Sequence, residues 1–329
     1  MTKIVEVNNL TKKFKDLVAV DNVSFDVEAG TNFAFLGPNG AGKTTTIHML
    51  ATLLAPTSGT AKINGFDISK DRDKVRSSIG LTFQDPSLDD SLTAWENLKY
   101  HARFYDVPKI KFEKRAEEVL NMVELWDRRK DVVKKFSGGM RRRLEIARSL
   151  LHYPKLLFLD EPTLGLDPQT RNKIWEYLDK LRSEREITLF MTTHYMQEAE
   201  QADQVAIIDN GKIIANNTPA DLKKKHIGGD LFYINTANNE QTVKELEKEF
   251  CCEVRQDKKD RIVFTVPDST AALPKIDTTI TADLLSLELH QPTLEDVFLK
   301  LTGREIREED ASQAEMNKRH LRTRRRGPH

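Results

Sequence analysis

From Gly37 to Thr44 the chain reads Gly-Pro-Asn-Gly-Ala-Gly-Lys-Thr, a glycine, four residues, then glycine, lysine and a hydroxyl residue, with Thr45 next. The apolar run Asn32-Phe33-Ala34-Phe35-Leu36 leads in, and Thr46 to Leu54 has the composition of a helix, so the segment is expected as strand, glycine loop, helix. A chance match to this spacing in a chain this long is on the order of one in a hundred. Glycines at Gly37, Gly40 and Gly42, with Pro38, Asn39 and Ala41 between them, let backbone N–H groups wrap phosphate oxygens. The helix N-terminus adds positive potential, Lys43 sets a full charge against β and γ phosphates, and Thr44 offers a hydroxyl to Mg²⁺. The ligand class implied is a nucleoside triphosphate with its metal.

A second segment carries complementary chemistry. Leu156-Leu157-Phe158-Leu159-Asp160-Glu161 is an apolar run ending in two acids, as expected of a central parallel strand whose carboxyl end opens onto a crevice. Asp160 is placed to hold Mg²⁺ through water, and Glu161, one residue farther out, to orient an attacking water. Taken alone, such a pair is as often a solvated strand end; beside a phosphate loop the catalytic reading prevails.

Around these motifs the pattern is α/β. Ile4–Leu10 and Val18–Val27 alternate as half-exposed antiparallel strands, and Gln84 to Phe136 turns helical. From Gly139 to Ile208 helices and strands alternate, which implies a mostly parallel sheet covered on both faces. The first domain is expected over residues 1–228, with a helical insertion at about 85–136. A small α+β domain built on a split βαβ pattern is expected at 229–303, closing with a helix over Pro292–Leu301. Residues 304–329, with Glu308-Glu309-Asp310 ahead of Arg324-Arg325-Arg326, read as a charge-segregated, disordered tail. An anchor to anionic lipid is the competing reading of its basic end.

Bulk properties remove several alternatives. Lys plus Arg equals Asp plus Glu at 51 each, so no global field favours nucleic acid. No apolar stretch approaches the roughly 18 residues of a spanning helix, and the N-terminus lacks the apolar run of a signal peptide, so the chain is expected in the cytoplasm. The two cysteines, Cys251 and Cys252, are adjacent and read as reduced.

Phe136-Ser137-Gly138-Gly139-Met140 precedes a helix and in isolation is only a good helix start. Together with Gly37–Thr44, Leu156–Glu161, Gly165-Leu166-Asp167 and His194 in this order, it makes the sequence resemble the ATP-binding cassette (ABC) family over roughly Ile4 to Leu222. The resemblance implies a P-loop ATPase core, with an antiparallel β subdomain and the helical insertion, that binds ATP and Mg²⁺ and acts as a homodimer. Each ATP would lie between one subunit's P-loop and the other's Ser137, Gly138 and Gly139. It further implies that Gln84 senses Mg²⁺, that Asp167 lies in the loop between subunits, that His194 contacts the γ-phosphate and that Phe14 stacks on adenine. The family more often has Tyr at the position of Phe14, and Leu and Gln at those of Phe136 and Met140.

The run Phe136–Arg171 and Thr293-Leu294-Glu295-Asp296-Val297-Phe298 look most like the drug-resistance branch of type-2 exporters. That likeness implies an ATP-hydrolysing subunit attached to the inner face of the membrane through a separate permease, driving efflux of drugs, antibiotics or lipid-like molecules. The alternative, a soluble ABC ATPase acting on nucleic acid or ribosomes, is opposed by the single cassette and the absence of a long coiled-coil insertion.

Overall fold

The structure, a computed structural model, describes residues 2–85, 87–257 and 260–303; the tail expected at 304–329 lies outside them. In chain order the large unit contains β1 (Lys3–Phe14), β2 (Leu17–Glu28), β3 (Asn32–Leu36), α1 (Lys43–Leu50), β4 (Ser58–Ile63), β5 (Phe66–Asp67), α2 (Arg72–Ser78) and β6 (Ile79–Thr82). The helical arm comes next with α3 (Ala94–Phe104) and α4 (Lys109–Met122). The core then resumes with α5 (Gly138–Leu150), β7 (Leu156–Asp160), α6 (Pro168–Arg185), β8 (Thr188–Thr193), α7 (Met196–Ala199), β9 (Gln204–Asp209), β10 (Lys212–Asn217) and α8 (Pro219–His226). The smaller unit adds β11 (Asp230–Thr236), α9 (Asn239–Phe250), β12 (Arg255–Gln256), β13 (Ile262–Val266), α10 (Ser269–Thr279), β14 (Leu284–His290) and α11 (Leu294–Thr302).

The central sheet runs β10-β9-β3-β8-β7-β6 and is parallel except for the hairpin strand β10. Strands β3, β7 and β8 are buried at every position, as befits strands covered on both faces. Alternate side chains then feed two cores. Ala34, Leu36, Leu157, Leu159, Leu189 and Met191 face one that also takes apolar residues from α3, α4, α5 and α6. Phe33, Phe35, Phe158 and Phe190 face the other, against the antiparallel sheet β2-β1-β4-β5. There Phe25 of β2 stacks on Phe33 at 5.5 Å, and Phe33 meets Phe190 at 4.8 Å. Burying each ring contributes about 1.5–3 kcal/mol, which fixes the antiparallel layer beneath the phosphate loop.

The arm is set by its start. Thr93 accepts from the Glu96 N–H while the Glu96 carboxylate takes the Thr93 N–H, a capping box that begins α3 where the helical period begins.

The small unit's sheet has the order β12-β13-β11-β14 with every neighbouring pair antiparallel, so β11 and β12 flank β13 in parallel, and β13 and β14 flank β11. These are two interlocked split βαβ units, covered by α9 and α10 around Phe232, Ile234 and Phe264. The closing helix α11 goes elsewhere. Its Leu294, Val297 and Phe298 are buried in the large unit's core with Leu222 and Ala199, and the Leu294 N–H donates to Glu200 at 2.8 Å. An amphipathic pattern announces a buried face without saying which core receives it. Cys251 and Cys252 are free.

Candidate nucleotide site

The order β3-β8-β7 places three strand ends side by side, and parallel register aligns them: Leu36 opposite Thr193, Asp160 opposite Thr192. The glycine loop continues directly from β3, Glu161 from β7 and His194 from β8. This is the carboxyl edge of a parallel sheet, where ligands of such folds bind.

The loop's shape depends on two close approaches. A Cβ at Gly37 would lie 2.3 Å from the Ile208 carbonyl oxygen, and Gly42, at φ +105°, would set one 2.4 Å from the Ala19 carbonyl oxygen. Both positions exclude any larger residue. The Gly37 N–H is tied to the Thr193 carbonyl at 3.2 Å, anchoring the loop to β8. Asn39 and Gly40 at the crest are exposed, while Lys43 at the foot of α1 is buried.

Lys43 Nζ donates to the carbonyls of Gly37 (2.7 Å) and Pro38 (3.1 Å) and stands 3.4 Å from Glu161 Oε1. His194 Nδ1 stands 3.4 Å from the same oxygen, an electrostatic contact outside hydrogen-bond alignment. Burial pushes the Glu161 carboxyl up, but the His194 ring and the Lys43 ammonium outweigh it and leave Glu161 below its usual range. Burial pushes Lys43 down against the pull of Glu161 and Asp160. Asp160 Oδ1 accepts the hydroxyls of Thr44 (3.1 Å) and Thr192 (2.5 Å). Lys43, Thr44, Asp160, Glu161 and His194 are thus one hydrogen-bonded and ionic cluster.

Ser137 caps α5 by accepting the Met140 N–H at 3.2 Å, and Ser137 and Gly138 are exposed. Asp167 caps α6, accepting from Thr170 N (3.0 Å) and Thr170 Oγ1 (2.7 Å); these bonds hold its carboxyl below the usual range. Phe14 is 43% exposed at the end of β1, with Lys12 Nζ 5.1 Å from its ring centre. Gln84, just past β6, is also exposed. Phe14 and Gln84 stand outside the ionic cluster.

Three participants carry no motif signal. Thr192 takes the Glu161 N–H on its carbonyl (3.2 Å) and hydroxyl (3.1 Å). Glu198 on α7, buried, accepts the hydroxyls of Thr193 (2.6 Å) and Thr163 and so ties β8 to the segment after Glu161. Burial raises the Glu198 carboxyl above its usual range in spite of those hydroxyls. Arg142 on α5 holds the backbone around Glu161.

Residues 20–164 match the ABC transporter family. The linearmycin resistance ATP-binding protein LnrL of Bacillus subtilis (strain 168) is 37% identical over 93% of this chain and all of that protein. The daunorubicin/doxorubicin resistance ATP-binding protein DrrA of Streptomyces peucetius is 38% identical over 92% of this chain and 93% of its own length. A solved dimeric ATP-binding cassette, MJ0796 in a post-hydrolysis state with ADP and Pi, superposes with a TM-score of 0.59 at 30% identity, covering 65% of this chain and 98% of that one. The site at the carboxyl edge of the sheet and these likenesses agree: the chain belongs to the ABC transporter family, as an ATP-binding, ATP-hydrolysing subunit.

Proposed function

We propose that two copies of this chain drive export of a drug or antibiotic through a separate permease, at the inner face of the membrane. The observation that carries the mechanism is the meeting of Lys43, Thr44, Asp160, Glu161 and His194 at one sheet edge, in a subunit whose Ser137–Gly138 helix tip is exposed. Lys43 and the Gly37–Thr45 loop bind the triphosphate, and Phe14 stacks on the base. The oxygen donors Thr44 and Asp160, 3.1 Å apart, suit a hard cation, and Gln84 joins them. Mg²⁺, when bound, would neutralise charge on the phosphate oxygens. Glu161, ionised and held below its usual range, orients the attacking water, and His194 steadies Glu161 and the γ-phosphate. Ser137, Gly138 and Gly139 of the opposite copy complete the anion site with a helix N-terminus. Asp167 lies in the loop between the two copies.

Among the described residues no helix is long and apolar enough to cross a membrane. A cleft of about 420 Å³ beside α3, lined by Ser87, Leu92, Tyr100, His101, Phe104 and Arg148, supports the permease-docking reading. Phe104 is 84% exposed there, and Ile110 at the start of α4 is 91% exposed. The names of LnrL and DrrA support a drug or antibiotic as cargo. Residues 1–228 form the cassette in this reading, and 229–303 an attached regulatory or dimer-contact unit.

The test is isolation of the chain from its native membrane. Co-purification of a multi-spanning protein, with loss of drug resistance when Glu161→Gln replaces the wild type, is expected. A chain that fractionates with RNA or DNA and leaves resistance unchanged would refute export.

A further inference from the structure

Glu161 adopts φ +46°, a left-handed backbone that a non-glycine residue holds only where its surroundings impose it. On its N–H side the surroundings are Thr192. On its carbonyl side they are the Leu164 N–H, at 3.3 Å, and one guanidinium. Arg142 Nη2 donates to the carbonyls of Asp160 (2.9 Å) and Glu161 (3.0 Å), and Nε to that of Pro162 (2.6 Å). Nη1 donates to the Phe83 carbonyl (2.5 Å) and to Glu145 Oε2 (3.2 Å). A guanidinium has five N–H donors, and these five acceptors use all of them.

Arg142 is 7% exposed and Glu145 2%. A buried charge needs a partner, and Glu145 supplies it one helical turn away. The other Glu145 oxygen accepts the Ser87 N–H at 2.7 Å. The pair on α5 therefore grips residues on both sides of Gln84, Phe83 before it and Ser87 after it, while also gripping three successive carbonyls at Glu161. Helix α5 itself is capped by Ser137.

We infer that Arg142, braced by Glu145, is the positioning residue that fixes the Glu161 carboxylate and couples its backbone to the Gln84 loop and to the Ser137 helix. This rests on the reading of Glu161 as the water-orienting carboxylate. Movement of the loop around Gln84 would shift Phe83 and Ser87 against the guanidinium and so re-aim Glu161, without any contact between Arg142 and nucleotide. Lysine keeps the charge but has three donors and no planar fork, so it can satisfy only part of the set.

The experiment measures steady-state Mg-ATPase and ATP affinity of the full-length chain carrying Arg142→Lys, alone and with Glu161→Gln. The expected result is a kcat lowered at least tenfold with ATP affinity within twofold of wild type, and no further loss when Arg142→Lys is added to Glu161→Gln. Wild-type kcat in Arg142→Lys, or a loss matched by an equal loss of ATP affinity, overturns the inference. Wild-type turnover in Glu161→Gln alone overturns the underlying reading instead. Should Arg142→Lys not accumulate folded, Glu145→Gln keeps every guanidinium–carbonyl bond and removes the ionic brace. A kcat reduced several-fold at unchanged ATP affinity is then expected, and an unchanged kcat overturns the inference.

Discussion

Lys43 Nζ and Glu161 Oε1 stand 3.4 Å apart in a site where both side chains are less than 10% exposed. In the proposed reading a phosphate held by Lys43 would arrive beside the carboxylate that orients the attacking water, and Lys43 and His194 together hold that carboxylate below its usual range. Glu161→Gln preserves the shape and removes the charge. General-base assistance contributes about 10²–10⁴-fold, so turnover should fall by about that factor while ATP still binds and the closed dimer accumulates. Phosphate release measured with size-exclusion chromatography in ATP decides it, and near-normal release would remove Glu161 from this role.

Lys43→Ala acts at the binding step. Its ammonium is the buried positive charge at the foot of the glycine loop, and a charge-assisted hydrogen bond contributes about 1.5–3 kcal/mol. ATP affinity should weaken by roughly ten- to a hundred-fold, read by titration of a fluorescent ATP analogue. Unaltered affinity would contradict the assignment of the loop.

The glycine loop and the Asp160-Glu161 strand end are legible in sequence because each is contiguous and its neighbours dictate its context. The short elements β4, β5, α2 and β6 are not, since strands of 2 to 6 residues and a helix of 7 carry too few repeats to declare a period. The destination of α11 is hidden for another reason: Leu294, Val297 and Phe298 define an apolar stripe that either core could bury. Arg142 is hardest to see, because Arg141, Arg142 and Arg143 are chemically equal in the chain. A signal does exist in spacing, as Arg142, Glu145 and Ser149 lie at i, i+3 and i+7 and are all buried, a polar stripe inside a core-facing helix. Thr192 gains its role from strand adjacency, and Glu198 from the packing of α7 against Thr163 and Thr193, which no local pattern announces.

The helix tip of α5 offers a steric contrast between neighbouring glycines. A Cβ at Gly138 meets only Leu166 Cδ2 at 3.9 Å, whereas one at Gly139 would lie 2.5 Å from Thr170 Cγ2. Gly138→Ala should leave the isolated subunit's stability within about 0.5 kcal/mol, yet abolish the ATP-driven dimer in the Glu161→Gln background by crowding the partner's phosphate. Gly139→Ala should displace Thr170, disturb its bonds to Asp167 and destabilise the subunit itself. Thermal unfolding and gel filtration separate the two effects. Undiminished dimerisation of the Gly138→Ala protein would exclude a trans contact at that tip.

A half-buried histidine pair where the arm meets the core should make the fold acid-sensitive. Burial pushes His101 down to about 3, assisted by the Arg148 guanidinium and by His152. Burial likewise pushes His152 down to about 4, assisted by Arg115 and opposed by its bond to the Ile79 carbonyl. The Tyr105 ring stacks on His152 at 3.8 Å. Both folded values lie below the unfolded value of about 6.5, so the unfolded chain binds the extra protons. The stability that depends on neutral imidazoles is complete above about pH 6.5 and is lost as the pH falls towards 4, by about 1–2 kcal/mol per histidine at pH 5. His101 Nε2 is buried without a hydrogen-bond partner, so His101→Phe should cost little at pH 7.5. It should also flatten the acid limb by up to about 1.4 kcal/mol per pH unit. Urea midpoints between pH 8 and 5 measure this, and an acid limb as steep in His101→Phe as in the wild type would show that His101 is not among the protons taken up.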